Sequence, residues 1–188
     1  MRFLNKKMLM ILFLSLILLI SAFAFVYHNS LKNDAMVVKI KNVKVFPLKK
    51  HITYKGALSS YGLSEAEMEE IWTNIDDYKK VLYIFEIQND SWLAYSVNHQ
   101  IQPRFAEGTQ KLLIKSEKQL LFPQNISPGE SYTTSLSAII KVENDQTDQE
   151  ILDILSKDQF TITGERVGIL SVEPVGKESV TVGPFKKE

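Results

Sequence analysis

An uninterrupted apolar run near the N-terminus constrains this chain more than any other feature. From Met8 to Val26 no residue is charged, and only two serines interrupt the apolar side chains. As a helix the run is about 28 Å long, close to the roughly 30 Å of bilayer hydrocarbon. A buried helix of a soluble core does not fit, because the run is apolar on every face and follows a basic cluster. The sequence therefore predicts a membrane-crossing helix or an export signal at residues 8–26.

The charges around this run predict its orientation. Arg2, Lys6 and Lys7 precede it, and no basic residue follows it immediately. The N-terminus is therefore expected in the cytoplasm and the rest of the chain outside the cell. The run is longer than the usual apolar part of a signal peptide, about 7–15 residues, which favours an uncleaved anchor. Ala22-Phe23-Ala24 nevertheless resembles a signal-peptidase site, and cleavage after Ala24 would give a secreted protein, so both interpretations stay open.

Composition excludes several functional classes. The chain has 22 basic residues, 22 acidic residues and no cysteine. Without cysteine it has no disulfide framework, thiolate zinc site, iron–sulfur cluster, thiol nucleophile or lipid-modified cysteine. Residues 29–188 are mildly acidic because the first 28 residues carry three bases and no acid. The charge balance and the scarcity of arginine argue against a nucleic-acid partner.

Short alternating segments separated by turn residues predict a single β-domain after the apolar run. We divide the chain into an anchor or signal (1–28), a tether (29–36) and this domain (37–188). Val81–Ile87 is apolar on nearly both faces and is expected to be a central strand, with 92–97 as its hairpin partner and 98–110 as a loop. The turn at 127–130 precedes the clearest alternation, at 132–142. Other strands are expected at 37–46 (with a bulge near residue 42), 52–54, 112–114, 119–122, 160–163, 167–172 and 180–182.

Two capping boxes predict two short helices. Ser64 with Glu67 marks a helix over 64–76, and Thr147 with Glu150 marks another near 148–157. These helices lie in connections and do not alternate with the strands. The pattern therefore predicts a mainly β fold, an antiparallel immunoglobulin-like β-sandwich preceded by one N-terminal transmembrane or signal helix.

Two segments carry a family resemblance. Residues 83–91 form an apolar strand followed by Asn-x-Ser, and 126–130 form a Pro-Gly turn before an alternating strand. Both segments resemble bacterial extracytoplasmic immunoglobulin-like domains, especially the DUF4352-like group. The resemblance implies a surface sandwich with no family catalytic residues to carry over. The chain departs from that group in its two helices and in lacking a lipobox cysteine.

The sequence contains no arrangement that predicts catalysis or metal binding. A nucleophile elbow, a phosphate-binding glycine loop, a His-Glu-x-x-His helix and a Ser-x-x-Lys pair are all missing. His28, His51 and His99 are isolated. The oxygen-rich segment 143–150 lacks the glycine and spacing of a calcium loop, and adjacent carboxylates at 76–77 fit a helix end. We therefore expect no catalytic, cofactor-binding or metal-binding residues and no cofactor.

The two tryptophans lead to the functional expectations. Trp72 shares a helical stripe with residues 68, 71 and 75 and is expected in the core, whereas Trp92 follows a turn and is the first place to look for a binding patch. We expect a non-enzymatic binding or accessory module of the cell envelope, held in the membrane through residues 8–26, with a protein or envelope partner. One alternative is an envelope hydrolase with loop carboxylates or a Ser-Lys pair. Another is a subunit of a membrane complex that docks through the 64–76 helix.

Overall fold

Eight strands and four α-helices make up most of the described chain. The computed structural model describes residues 6–32, 36–116, 120–122, 124–143, 146–171 and 173–185. The helices are α1 (Lys6–Lys32), α2 (Glu65–Thr73), α3 (Glu107–Leu112) and α4 (Asp148–Leu155). The strands are β1 (Met36–Pro47), β2 (Tyr78–Asn89), β3 (Ala94–Arg104), β4 (Leu113–Ser116), β5 (Leu120–Phe122), β6 (Ser131–Lys141), β7 (Gln159–Gly168) and β8 (Pro174–Val182).

The strands form two antiparallel sheets. One has the order β1-β2-β6-β4 and the other β5-β3-β7-β8. These orders match the A-B-E-D and C′-C-F-G sheets of immunoglobulin-like sandwiches, except that β4 precedes β5 along the chain. The predicted mainly β sandwich is confirmed. The expected central strand lies within β2, between β1 and β6, and the bulge expected near residue 42 falls between Ile40 and Asn42.

The main core lies between the sheets and follows from the alternation of the strands. On β6, Leu136, Ala138 and Ile140 point inward and are buried. The ring centroid of Phe160 on β7 lies 4.7 Å from that of Tyr83 and 5.0 Å from that of Phe85. Such edge and tilted arrangements pack aromatic rings without a face-to-face sandwich. The alternation therefore determines which face of each sheet is buried.

A second, smaller core covers the outer face of the first sheet. Ile139 interrupts the polar side of β6, yet it is fully buried. It packs under residues 48–77, which we call the outer module and which contains α2 and three 3-10 turns. Ile52 is buried in this core, within the connection between two of those turns, so the strand expected at 52–54 is wrong. Ile52 is therefore buried because a loop folds over the sheet, and not because it belongs to a paired strand.

Both capping boxes form as predicted. The Ser64 hydroxyl and the Glu67 carboxylate cap α2 reciprocally, and Thr147 with Glu150 does the same for α4. The first helix is shorter than expected: α2 ends at Thr73, and a 3-10 turn at 75–77 leads into β2. The second ends at Leu155, two residues early.

The expected hairpin after the central strand is wrong. β3 begins at Ala94 and pairs with β7 in the opposite sheet. Asn89 explains the crossing, because its side-chain amide donates to the carbonyls of Ala94 (2.8 Å) and Ile126 (3.0 Å). β3 and α3 occupy much of the loop expected at 98–110, and one strand, β7, replaces the two expected at 160–163 and 167–172.

The apolar run forms α1. Within it, Lys6–Asn29 is long and apolar enough to cross a bilayer, and none of it is buried against the rest of the chain. α1 is therefore compatible with a single-pass anchor or a signal sequence. The helix continues to Lys32, so it also covers part of the segment assigned to the tether.

Candidate functional site

The two ends of the sandwich differ in what they contain. We call the end where β1 and β3 begin the near end. There Met36 pairs with Asn89 across the first sheet, and Ala94 pairs with Gly168 across the second. The opposite end, where β2 begins and β3 ends, is the far end. The aromatic core lies toward the far end, and a buried polar network lies toward the near end.

This polar network joins three strands of the second sheet. The Ser96 hydroxyl lies 2.8 Å from Nε2 of His99 and 3.3 Å from Oε2 of Glu178. The Glu178 carboxylate also pairs with Arg166, whose Nε lies 3.2 Å from Oε1. All four residues are at most 4% exposed. Buried charges and polar groups persist only when paired in this way.

A β-bulge brings His99 into the network. Residues three apart on a regular strand point to opposite faces, so Ser96 and His99 would normally diverge. In β3, Val97 pairs with Glu165 and Gln100 pairs with Thr163, which leaves two residues of β3 opposite one of β7. Asn98 takes a positive φ of 53° in this bulge. The extra residue re-aims His99 toward the interior.

Glycines make room for the buried polar side chains. A Cβ on Gly164 would lie 3.0 Å from Cδ2 of His99. A Cβ on Gly176 would lie 3.1 Å from an Arg166 guanidinium nitrogen. The imidazole is also fixed on its other side, because it stacks on Phe122 with centroids 4.8 Å apart. The network is therefore tightly enclosed.

Enclosure limits what the Ser96–His99 pair can do chemically. A serine beside a histidine base is the arrangement of an activated nucleophile. Here Ser96 is 1% exposed and His99 is fully buried, so a substrate has no route to the hydroxyl. Burial also lowers the pKa of His99 and favours the neutral ring. The geometry favours a structural role in closing the core.

The sequence pattern does not predict this network, because His99 falls in a segment expected to be a loop and its charged partners are far away in sequence. A signal did exist on β7, where the inward positions run from apolar residues to Gly164, Arg166 and Gly168. Small residues around a charged one on a buried strand face indicate space kept for long polar neighbours.

The other histidines and the acidic segment do not form a described metal site. His51 packs edge-on against Phe46, with centroids 4.8 Å apart, and His28 lies on α1. Among the residues that the structure describes, no group of three histidine, aspartate or glutamate side chains is placed to hold a metal ion. Two residues of the 143–150 segment, Asn144 and Asp145, lie outside the described residues.

The acidic segment borders a surface depression of about 330 Å³ beside α4, lined in part by Glu143, Glu150 and Asp153. The Glu150 carboxylate accepts hydrogen bonds from the Thr147 backbone amide (2.9 Å) and hydroxyl (2.8 Å). These bonds lower the pKa of Glu150, so it stays charged and serves the helix cap. A general acid needs a raised pKa, and Glu150 does not meet that requirement.

Several large aromatic side chains are exposed on the surface of the domain. Trp92 is 61% exposed in the loop between β2 and β3, where the sequence pointed first. Trp72 is 36% exposed, so its expected place in the core is wrong. The short α2 fully buries only Ile71 of its apolar stripe, and Trp72 lies at the stripe's edge. Tyr54, 63% exposed, precedes Lys55, whose ammonium lies 2.6 Å from the Glu69 carboxylate on α2.

Comparison with known proteins leaves the family open. No protein-family model and no curated protein matches the sequence. Among solved structures, the structural-genomics target SoR45 is 13% identical over 80% of this chain and 84% of its own, with a TM-score of 0.39. The putative ApaA protein of Bordetella pertussis is 12% identical (77% and 91% covered, TM-score 0.34), and a protein of Archaeoglobus fulgidus is 11% identical (80% and 98%, TM-score 0.28). The resemblance to the DUF4352-like group stays a prediction.

Proposed function

We propose that this protein is a non-catalytic binding or accessory module of the cell envelope, anchored by α1 with its sandwich outside the cell. The observation that carries the proposal is that potentially reactive side chains are buried while large aromatic side chains are exposed. The groups with nucleophile and base character, Ser96 and His99, are enclosed, whereas large aromatic side chains such as Tyr54 and Trp72 stand on the surface. Exposed aromatic residues are typical of protein-binding surfaces, whereas enclosed polar groups typically have a structural role in the core.

The anchor and its orientation rest on α1 and its flanking charges. The described helix is exposed along its apolar length and carries Lys6 and Lys7 at its start. Basic residues before a membrane helix favour a cytoplasmic N-terminus. Labelling of the full-length chain in intact cells, with a membrane-impermeant amine reagent, tests the orientation. Reaction of domain lysines such as Lys44 is expected, and their protection would overturn it.

A specific surface supports the alternative that this protein is a subunit of a membrane complex and docks a partner through the 64–76 helix. The outer module carries Tyr54 and Trp72, and an exposed ion pair between Lys55 and Glu69 links their two segments. The module packs on the sheet where Tyr78 begins β2, at the far end. It therefore projects away from the end at which α1 joins the domain, and a partner outside the membrane can reach it.

In-membrane crosslinking of the full-length chain tests whether a partner docks on the outer module. Trp72→Ala is compared with Leu121→Ala, which removes an exposed apolar side chain (68%) from the other sheet. The proposal expects envelope proteins whose crosslinks are lost with the Trp72 variant and kept with the Leu121 variant. Identical crosslinks for both variants would overturn docking through the outer module.

Activity assays separate the module from an enzyme. The purified full-length chain is incubated with chromogenic ester and phosphoester substrates, beside Ser96→Ala. No turnover above background is expected from either. Turnover that Ser96→Ala abolishes while the fold remains intact would overturn the non-catalytic proposal.

A further inference from the structure

Exposed apolar side chains concentrate at the near end. Outside α1, eight large apolar side chains of the described residues are exposed, and five of them lie at this end: Trp92, Tyr95, Ile169, Leu170 and Val175. The Ile169 amide donates to the Leu93 carbonyl at 3.0 Å, so the β2–β3 and β7–β8 loops are in contact. Val175, the second residue of β8, lies directly beside them, because Pro174 at the start of β8 pairs with Val167. We call Trp92, Ile169, Leu170 and Val175 the apolar tip.

The chain length holds this tip close to the membrane. The apolar run ends at Val26, and α1 continues for six residues to Lys32, a rise of about 9 Å. Four further residues reach Met36 and span at most roughly 14 Å. Met36 begins β1 at the near end, so with Val26 at the hydrocarbon boundary the start of β1 lies at most roughly 23 Å from that boundary. The headgroup layer fills about 5–8 Å of that distance.

We propose that the apolar tip inserts into the headgroup and upper acyl region of the bilayer that holds α1. Trp92 is suited to this position because indole rings are enriched at the membrane–water interface. Leu170, 71% exposed, and Ile169, 44% exposed, supply aliphatic surface beside it. The inference rests on the proposed function only in requiring that α1 remain attached and span the membrane.

The charges near the tip indicate that the contact is apolar and not electrostatic. Asp90, Glu130 and Glu173 are exposed in the loops and strand starts of the near end. Acidic side chains are repelled by anionic lipid headgroups. Insertion is therefore expected in vesicles of zwitterionic phosphatidylcholine and is expected to weaken as anionic lipid is added.

Two single-tryptophan variants of the full-length chain test the inference, because the protein has only two tryptophans. Trp72→Phe leaves Trp92 as the probe, and Trp92→Phe leaves Trp72 as the control at the far end. Each variant is reconstituted in phosphatidylcholine vesicles with lipid brominated high on the acyl chains. Trp92 fluorescence is expected to fall by about half or more, and Trp72 fluorescence to change little.

A second comparison asks whether the aliphatic side chains contribute. In the Trp72→Phe background, Leu170→Ser is expected to reduce the quenching of Trp92 about twofold, because less apolar surface enters the lipid. Leu121→Ser, at a leucine of similar exposure on β5, is the matched control and is expected to leave quenching unchanged. Near-ultraviolet circular dichroism establishes that both variants are folded.

Vesicle flotation distinguishes the two ways of failing. If the full-length chain does not float with vesicles, the anchor is wrong and the inference fails with it. If it floats, but Trp92 is unaffected by brominated lipid and open to aqueous iodide, the anchor stands and tip insertion alone is overturned. Quenching of both tryptophans to the same extent would also overturn it, since the far end would then lie on the membrane.

Discussion

At the scale of single residues, His99 and Gly164 are coupled by the space they share. A methyl group on Gly164 would meet the imidazole at 3.0 Å, and stacking on Phe122 prevents the ring from retreating. Gly164→Ala is therefore expected to lower the free energy of unfolding by about 1–3 kcal/mol, the usual cost of overpacking. Urea unfolding of the full-length chain in detergent measures it. In a His99→Ala background the same substitution should cost clearly less, and an equal cost in both backgrounds would show that the two sites are independent.

Asp158 makes the stability of the fold depend on pH. It lies at the opposite end of the core from His99. It is fully buried, and its carboxylate accepts hydrogen bonds from the Tyr83 hydroxyl (2.6 Å) and the Ala106 amide (2.8 Å). Burial raises the pKa of Asp158 despite these bonds. A raised pKa in the folded state means that its stabilising contribution is complete below the ordinary value of 3.8 and is lost as pH rises through the folded value.

Asp158→Asn removes this ionisation while keeping the size of the side chain. We therefore expect the stability of the variant relative to the wild type to improve as pH rises above about 4 and to level off once pH exceeds the folded-state pKa of Asp158. Unfolding midpoints in detergent at several pH values measure this difference. A difference that does not vary with pH would contradict the assignment of the buried titration to Asp158.

At the scale of elements, the caps show how local sequence determines a helix and leaves its environment undetermined. Ser64 and Glu67 correctly predicted where α2 begins. They contained no information on how deeply it is buried, so Trp72 was wrongly assigned to the core. The outer module buries Ile139 in one cluster with side chains such as Leu48, Leu58 and Ile71, which come from separate 3-10 turns and from α2.

The α2 cap gives the element-scale prediction. Ser64→Ala removes the hydroxyl that accepts the Glu67 amide, and a loss of about 1 kcal/mol is expected for an N-cap. Trp72 fluorescence in a Trp92→Phe background reports the unfolding of α2 directly. Ser64→Thr keeps a hydroxyl and is the control. If both variants unfold at the wild-type urea concentration, the cap does not stabilise the outer module.

At the scale of the whole molecule, the fold class was predictable and the partners of its strands were not. Alternation identifies the buried face of β6, and a continuous apolar run identifies β2 as central. Neither pattern says that β3 pairs with β7, whose register joins Ala94 to Gly168 across more than seventy residues. The same long-range pairing assembles Ser96, Arg166 and Glu178, so the polar network could not be predicted from neighbouring residues.

At the near end, α1 and the apolar tip contact the same bilayer in the proposed arrangement. A few exposed side chains bury little surface, so the tip alone should bind a membrane weakly and reversibly. Attached to α1, it is held at a high effective concentration beside the lipid and can insert. A fragment of residues 33–188, which lacks α1, is expected to fold, because the apolar part of that helix is not buried against the sandwich.

Vesicle sedimentation of this fragment completes the test. Most of it is expected to remain in the supernatant, with an unfolding midpoint close to that of the full-length domain in detergent. Leu170→Ser should remove whatever weak binding remains, while Leu121→Ser should not. Tight sedimentation of the fragment would contradict this cooperation between α1 and the apolar tip, because it would make the tip a membrane-binding site independent of α1.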